Sequence, residues 1–155
     1  MVQRFYIDTS VIGGVFDAEF EEHSAILFEK MKLGQIKAVI SEVTEDEISK
    51  ARKEIRDFLK GLPAGHVDYI DLTIDAVQLA DAYIAENVVG KTSRNDCLHI
   101  AIATVAKVDV LVSWNFKHIV NIYRIRGYNS VNIRHGYGSL EIRSPKDIVG
   151  DENQK

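Results

Sequence analysis

Three carboxylates stand where the chain changes character: Asp8 at the end of the apolar run Arg4-Phe5-Tyr6-Ile7, Glu47 shortly after Lys37-Ala38-Val39-Ile40-Ser41, and Asp96 at the head of a long apolar segment. Convergent carboxylates suit magnesium or manganese, which prefer oxygen ligands and retain several waters. Such an ion can activate water and stabilise the charge that builds up when a phosphodiester is cut. Asn115, just past the apolar run at 108–113, offers a fourth oxygen without charge.

A competing reading gives each acid an ordinary task. A negative side chain at a helix start complements orphan amides and the macrodipole, for about 0.3–1 kcal/mol. Thr44-Glu45-Asp46-Glu47 has the Ser/Thr-x-x-Glu form of a capping box, Asp96 fits the same template behind Ser93, and Asp8 fits a simple N-cap. Taken singly, the residues leave both readings open.

The elements that would position them follow from hydrophobic period and from turn residues. Residues 4–7 read as a buried strand, 11–16 as a short helix interrupted by Gly13-Gly14, and 19–32 as an amphipathic helix ended by Gly34. Residues 37–41 form a second strand. A helix is expected from Thr44 through Leu59, stopping at Gly61-Leu62-Pro63. Residues 67–72 read as a third strand, and Thr73 opens the next helix. Residues 95–107 are apolar nearly all round, as in a helix buried inside a domain. The run at 108–113 suits a parallel sheet, and a further helix is expected near 118–126. Segments 131–134 and 140–143 are expected as edge strands or as cover for one side. Alternation of this kind predicts an α/β fold with a mainly parallel sheet and helices on both faces, and a functional crevice at the carboxyl ends of the strands.

A length of 155 residues fits one domain, expected over 1–150 with a core at about 1–125 and an extension at about 126–150, and a frayed tail at 151–155. Cys97 is the single cysteine, so an internal disulfide is excluded and cysteine-based zinc binding is not indicated. Asp8 interrupts the N-terminus before a signal-peptide core can develop, and no apolar run approaches the ~20 residues of a membrane span; a cytoplasmic protein is expected. Residues 1–90 hold 9 Lys/Arg against 17 Asp/Glu, whereas residues 91–146 hold 9 against 3. If the halves meet at a cleft, acidic metal ligands would lie beside a basic phosphate wall.

Four segments together resemble a known family. Tyr6-Ile7-Asp8-Thr9-Ser10, Ser41-Glu42-Val43-Thr44-Glu45-Asp46-Glu47-Ile48, Asn95-Asp96-Cys97-Leu98-His99-Ile100-Ala101-Ile102-Ala103 and Val110-Leu111-Val112-Ser113-Trp114-Asn115-Phe116 are similar, in order and spacing, to the four acidic motifs of PIN domains. The resemblance implies a three-layer α/β/α sandwich and a magnesium- or manganese-dependent ribonuclease, related to VapC-type toxins of toxin-antitoxin pairs. By that carry-over Asp8 and Asp96 bind metal, Glu47 binds it directly or through water, and Asn115 holds the fourth motif position, where the family often has aspartate. Ser10, Arg94, Ser113 and Lys117 become expected substrate contacts, with Ser113 supporting the site through its hydroxyl. Single-stranded or loop RNA is the expected substrate, and an antitoxin protein and a second copy of the chain are implied partners. The alternative is a non-catalytic or weakly active RNA-binding or regulatory module, which Asn115 favours.

Other residues near these motifs have two readings each. Asp17, Glu19, Glu42, Glu45 and Asp46 are acidic neighbours that solvated helix faces also explain. His99, three residues past Asp96 on one helix face, reads as a proton donor, as a holder of a carboxylate, or as a satisfied buried histidine. His118 reads as a substrate contact or a surface residue, and Trp114 as a base-stacking or a core ring. Lys91, Arg94, Lys117, Arg124 and Arg126 form the expected phosphate track.

Overall fold

The computed structural model describes residues 1–90 and 94–150; the expected tail at 151–155, the Ser93 cap and Lys91 fall outside them. Strand β1 (Gln3–Ile7) leads into the short helix α1 (Thr9–Gly14), then α2 (Glu21–Lys32) and β2 (Ile36–Ser41). Helices α3 (Glu42–Ser49) and α4 (Lys53–Lys60) follow, then a 3-10 turn and β3 (Val67–Ile70). After α5 (Ile74–Ala85) and α6 (Arg94–Val105) come β4 (Val110–Val112), α7 (Ile122–Arg134), β5 (Glu141–Arg143) and α8 (Pro145–Val149). The five strands form one parallel sheet in the order β3-β2-β1-β4-β5.

Alternation along the strands sends each side chain to a defined layer. Phe5 and Ile7 of β1, Ala38 and Ile40 of β2, and Val110 and Val112 of β4 pack with α1, α2, α4 and α8. Tyr6, Val39 and Leu111, one residue out of phase, face the opposite core with α5, α6 and α7. The result is the expected three-layer α/β/α sandwich. Helix α6 is buried from Cys97 through Thr104, which explains its lack of a polar face.

Local signals set most boundaries. Gly34 (φ +74°) closes α2, with its N–H bonded to Met31 and that of Gln35 to Lys30, the Schellman pattern. Thr73 caps α5 through the Ala76 N–H. Four expectations are corrected. Helix α3 starts at Glu42, because Ser41 rather than Thr44 is the cap and accepts from the Thr44 N–H; Glu47 therefore lies in the second turn. The single long helix expected there is two helices, broken at residues 50–52, where the Ser49 hydroxyl takes the Asp46 carbonyl and Arg52 is extended. The helix expected near His118 begins at Ile122, because Asn121 caps it by accepting from the Tyr123 and Arg124 N–H groups. Residues 131–134 are the last turn of that helix, not a strand, whereas residues 141–143 do form an edge strand on β4.

Gly14 sits where α1 meets Trp114. A Cβ there would lie 2.7 Å from Ser24 Oγ and 2.9 Å from Trp114 Nε1, two atoms that hydrogen-bond each other. Gly14→Ala is expected to destabilise the fold by about 1–3 kcal/mol through this overpacking. Thermal unfolding followed by the emission of Trp114, the single tryptophan, would measure it; an unchanged midpoint and spectrum would show that the contact is slack.

Candidate active site

The parallel register pairs Ile7 with Val112, and the Asp8 N–H continues the ladder to the Val112 carbonyl at 3.0 Å. Asp8 and Ser113, the next residues on each strand, are thereby set side by side. By strand alternation, Asp8 shares a side with Tyr6, Ser113 with Leu111 and Ser41 with Val39, all toward α6. This is also where the strand order reverses between β1 and β4, the place where open α/β sheets form a crevice.

Asp8 occupies the N-cap position of α1, yet its side chain makes no capping bond. Its Oδ2 instead accepts from Ser10 Oγ at 2.6 Å and from Ser113 Oγ at 2.8 Å. Ser10 Oγ also accepts from the Trp114 N–H, and Ser113 Oγ from the Asn115 N–H, so both hydroxyls have acceptor duties that point their protons toward Asp8. Ser113 thus supports the site through its hydroxyl, as the resemblance implied, and Ser10 holds the same buried carboxylate beside it.

Asp96 lies in the first turn of α6. Asn115 Nδ2 donates to its Oδ2 at 3.2 Å, while Asn115 Oδ1 accepts from the His118 N–H at 3.0 Å. Glu47 reaches over from α3, where its Oε1 accepts from Thr9 Oγ1 at 2.8 Å and from His99 Nε2 at 2.5 Å. His99, 1% exposed, also approaches Asp8 Oδ1 at 3.5 Å through the same nitrogen, and its Nδ1 meets the Tyr6 hydroxyl at 2.6 Å. The structure thus gathers Asp8, Glu47, Asp96 and Asn115 with the unforeseen partners Thr9, Tyr6 and Ser41. Tyr6 was legible in principle, since it shares the parity of Asp8 on the strand.

Crowded negative charge shapes the electrostatics. Burial, then the charge of Asp8, pushes the Asp96 carboxyl up from its ordinary 3.8 to about 6. Burial pulls the His99 ring down, but Tyr6, the bond to Glu47 and the charges of Asp8 and Glu47 outweigh it and hold the ring well above its usual range. Burial raises Glu47, and the bond and charge of His99 with the Thr9 bond reverse that to a net lowering.

The basic residues are less concentrated. Arg94 pairs with Asp81 of α5, and Arg124 donates to the Val88 carbonyl. Lys117 lies with Asn121 and Arg124 on a separate cleft that also includes Glu86 and Tyr123. Trp114 is a core ring, stacked on Phe20 at 4.4 Å, and Phe116 beside it is 51% exposed.

No family model matches the sequence, and no curated protein matches it. Solved structures do. VapBC2 from Rickettsia felis, bound to a DNA fragment from its promoter, aligns over 92% of this chain and 98% of that one at 15% identity, with a TM-score of 0.57. VapC20 from Mycobacterium tuberculosis, a sarcin-ricin loop cleaving toxin, aligns over 73% and 91% at 12% identity and TM-score 0.57. The fold is PIN-like. FitAcB from Neisseria gonorrhoeae shares the PIN-like fold over 91% of this chain and 97% of its own, at 11% identity and TM-score 0.56. Among the described residues no helix is long and apolar enough to cross a membrane.

The implied divalent ion can be tested against these side chains. Among the described residues no three His, Cys, Asp or Glu groups already stand in metal-holding geometry, as carboxylates that repel one another without a cation between them would not. The donor chemistry nevertheless fits a hard cation. Asp8, Glu47 and Asp96 bring carboxylate oxygens, and burial followed by the charge of Asp8 makes the ionised form of Asp96 costly, a cost that a bound cation would relieve.

The raised Asp96 pKa has a pH signature. An unfolded aspartate titrates near 3.8 and Asp96 in the fold at about 6, so between these values the native state binds more protons. Its contribution to stability is complete below about pH 4 and is lost as the pH rises through about 6. Asp96→Asn is therefore expected to stabilise the metal-free protein more at pH 7.5 than at pH 4. Denaturant melts of both forms at the two pH values measure this, and an equal shift at each would contradict a raised Asp96 pKa.

Proposed function

We propose that this chain is a magnesium- or manganese-dependent endoribonuclease that cuts single-stranded or loop RNA, and that it acts as the toxin of a toxin-antitoxin pair in the cytoplasm. The reading is carried by one observation: Asp8 and Asp96, 88 positions apart in the sequence, are linked through Ser113, whose Oγ donates to Asp8 and accepts from the Asn115 N–H, and through the Asn115 amide, which donates to Asp96, at the switch point of a PIN-like fold. Simple helix caps would need no such convergence. The likeness to VapBC2, VapC20 and FitAcB supports the toxin assignment and an antitoxin partner.

A divalent ion held by Asp8 and Asp96 would supply charge neutralisation for the phosphoryl oxygens and an activated water. The chain's own groups prepare the site for it. Ser10 and Ser113 fix Asp8 through Oδ2, while Oδ1 lies 3.5 Å from His99 Nε2. Asn115 aims Asp96 by its amide. Glu47, with His99 and Thr9 on one oxygen, stands ready to accept a proton or orient water. Phe116, exposed beside Asn115, offers a stacking face for an unpaired base. Splayed single strands and loops expose a backbone that can approach these groups more easily than a duplex can.

Cleavage of a labelled RNA by the purified protein with manganese is expected, with Asp8→Asn and Asp96→Asn each lowering the rate by at least about 100-fold. Equal cleavage by all three proteins would assign the activity to a contaminant. A second measurement addresses the non-catalytic module that Asn115 invites: Asn115→Asp adds a charged ligand and is expected to tighten manganese binding about tenfold by calorimetry. Unchanged affinity would remove position 115 from the site.

A further inference from the structure

Glu47 differs from the two aspartates in needing restraint. It extends from α3 on a long side chain that is 29% exposed, and a carboxylate in that position would ordinarily sample several rotamers. Two donors hold its Oε1, and the shorter bond comes from His99. The His99 ring cannot swing, because its other nitrogen is bonded to the Tyr6 hydroxyl and the two rings meet edge-on with centroids 5.6 Å apart. The Tyr6 hydroxyl is fixed in turn by Ser41 Oγ at 2.7 Å. Ser41 caps the same helix that carries Glu47. The links therefore close a ring: β1 gives Tyr6, the end of β2 gives Ser41, α6 gives His99 and α3 gives Glu47. Tyr6, Ser41 and His99 are all buried, so water does not compete for these bonds.

We propose that His99, locked by Tyr6 and Ser41, is a positioning residue that fixes Glu47 in one rotamer and sets its separation from Asp8. The ring nitrogen that binds Glu47 also lies 3.5 Å from Asp8 Oδ1, so a single N–H spaces the two carboxylates. His99 is buried away from solvent and acts through the two carboxylates it spaces. This assignment rests on the nuclease reading for its effect on rate, but the ring of hydrogen bonds exists independently of it.

Groups that orient site carboxylates and ligands typically matter by about 10–100-fold. Manganese-dependent cleavage of a labelled single-stranded RNA by His99→Leu is expected to show kcat lowered by that factor, with KM within about threefold of wild type. Tyr6→Phe, which cuts the ring one step away from Glu47, is expected to lower kcat in the same sense. His99→Gln, which restores an N–H donor, is expected to recover about tenfold of the loss and covers the case in which the leucine variant does not fold. A readout without activity accompanies these: in 15N-labelled, metal-free protein the His99 Nε2 proton is expected as a slowly exchanging downfield signal that moves in both Glu47→Gln and Tyr6→Phe. A folded His99→Leu protein with wild-type kcat, or a His99 proton that exchanges freely and ignores both variants, would overturn the assignment. If the wild type cuts no RNA while the proton signal responds to both variants, the nuclease reading falls and the positioning of Glu47 stands.

Discussion

The in-register parallel pairing of β1 with β4 is the constraint on which the site depends. It joins Ile7 to Val112 and so makes neighbours of Asp8 and Ser113, which neither strand could bring about alone. Because side chains alternate, a slip of one residue would turn Asp8 into the apolar layer with Phe28 and Trp114 and point Ile7 at α6. The register is held by burial on both faces, with Phe5, Ile7, Val110 and Val112 on one side and Tyr6 and Leu111 on the other. A polar cluster is thus placed by apolar residues that never touch it.

Much of this was legible from the residues. The strands at 4–7, 37–41 and 108–113 and the all-apolar helix behind Asp96 followed from periodicity, because burial on both faces leaves continuous apolar runs. The acidic trio followed from a fourfold likeness, not from any one motif. What escaped was the division of labour among short polar residues. Ser41 and Thr44 both fit an N-cap, and choosing between them requires knowing where β2 ends. Ser10 hides its part as a holder of Asp8 until its hydroxyl is seen on that carboxylate beside the one expected from Ser113. The late start of α7 has a similar cause: residues 116–119 form a turn tied to Asn115, and only Asn121 satisfies the helix amides.

Asn115 illustrates how a missing charge can be chemically useful. An amide can donate to Asp96 and accept from the His118 N–H at the same time, and these opposite demands fix which end of the group is nitrogen. An ionised aspartate could serve only the second partner and would add to the repulsion that already lifts Asp96. The amide therefore favours order in the metal-free protein, while a carboxylate would favour attraction of a cation. The His99 ring plays a comparable part for Glu47 and Asp8, lending positive character where the acids stand closest.

The hydrogen bond from Ser113 to Asp8 spans 105 positions. During synthesis at roughly 5–20 residues per second, β1 waits several seconds for β4, and Asp8, with Ser10 two positions away, gains its second hydroxyl only then. No translation product ending before β4 can pair Ile7 with Val112 or bond Asp8 to Ser113. Topology alone thereby defers the completion of this polar cluster to the later part of synthesis.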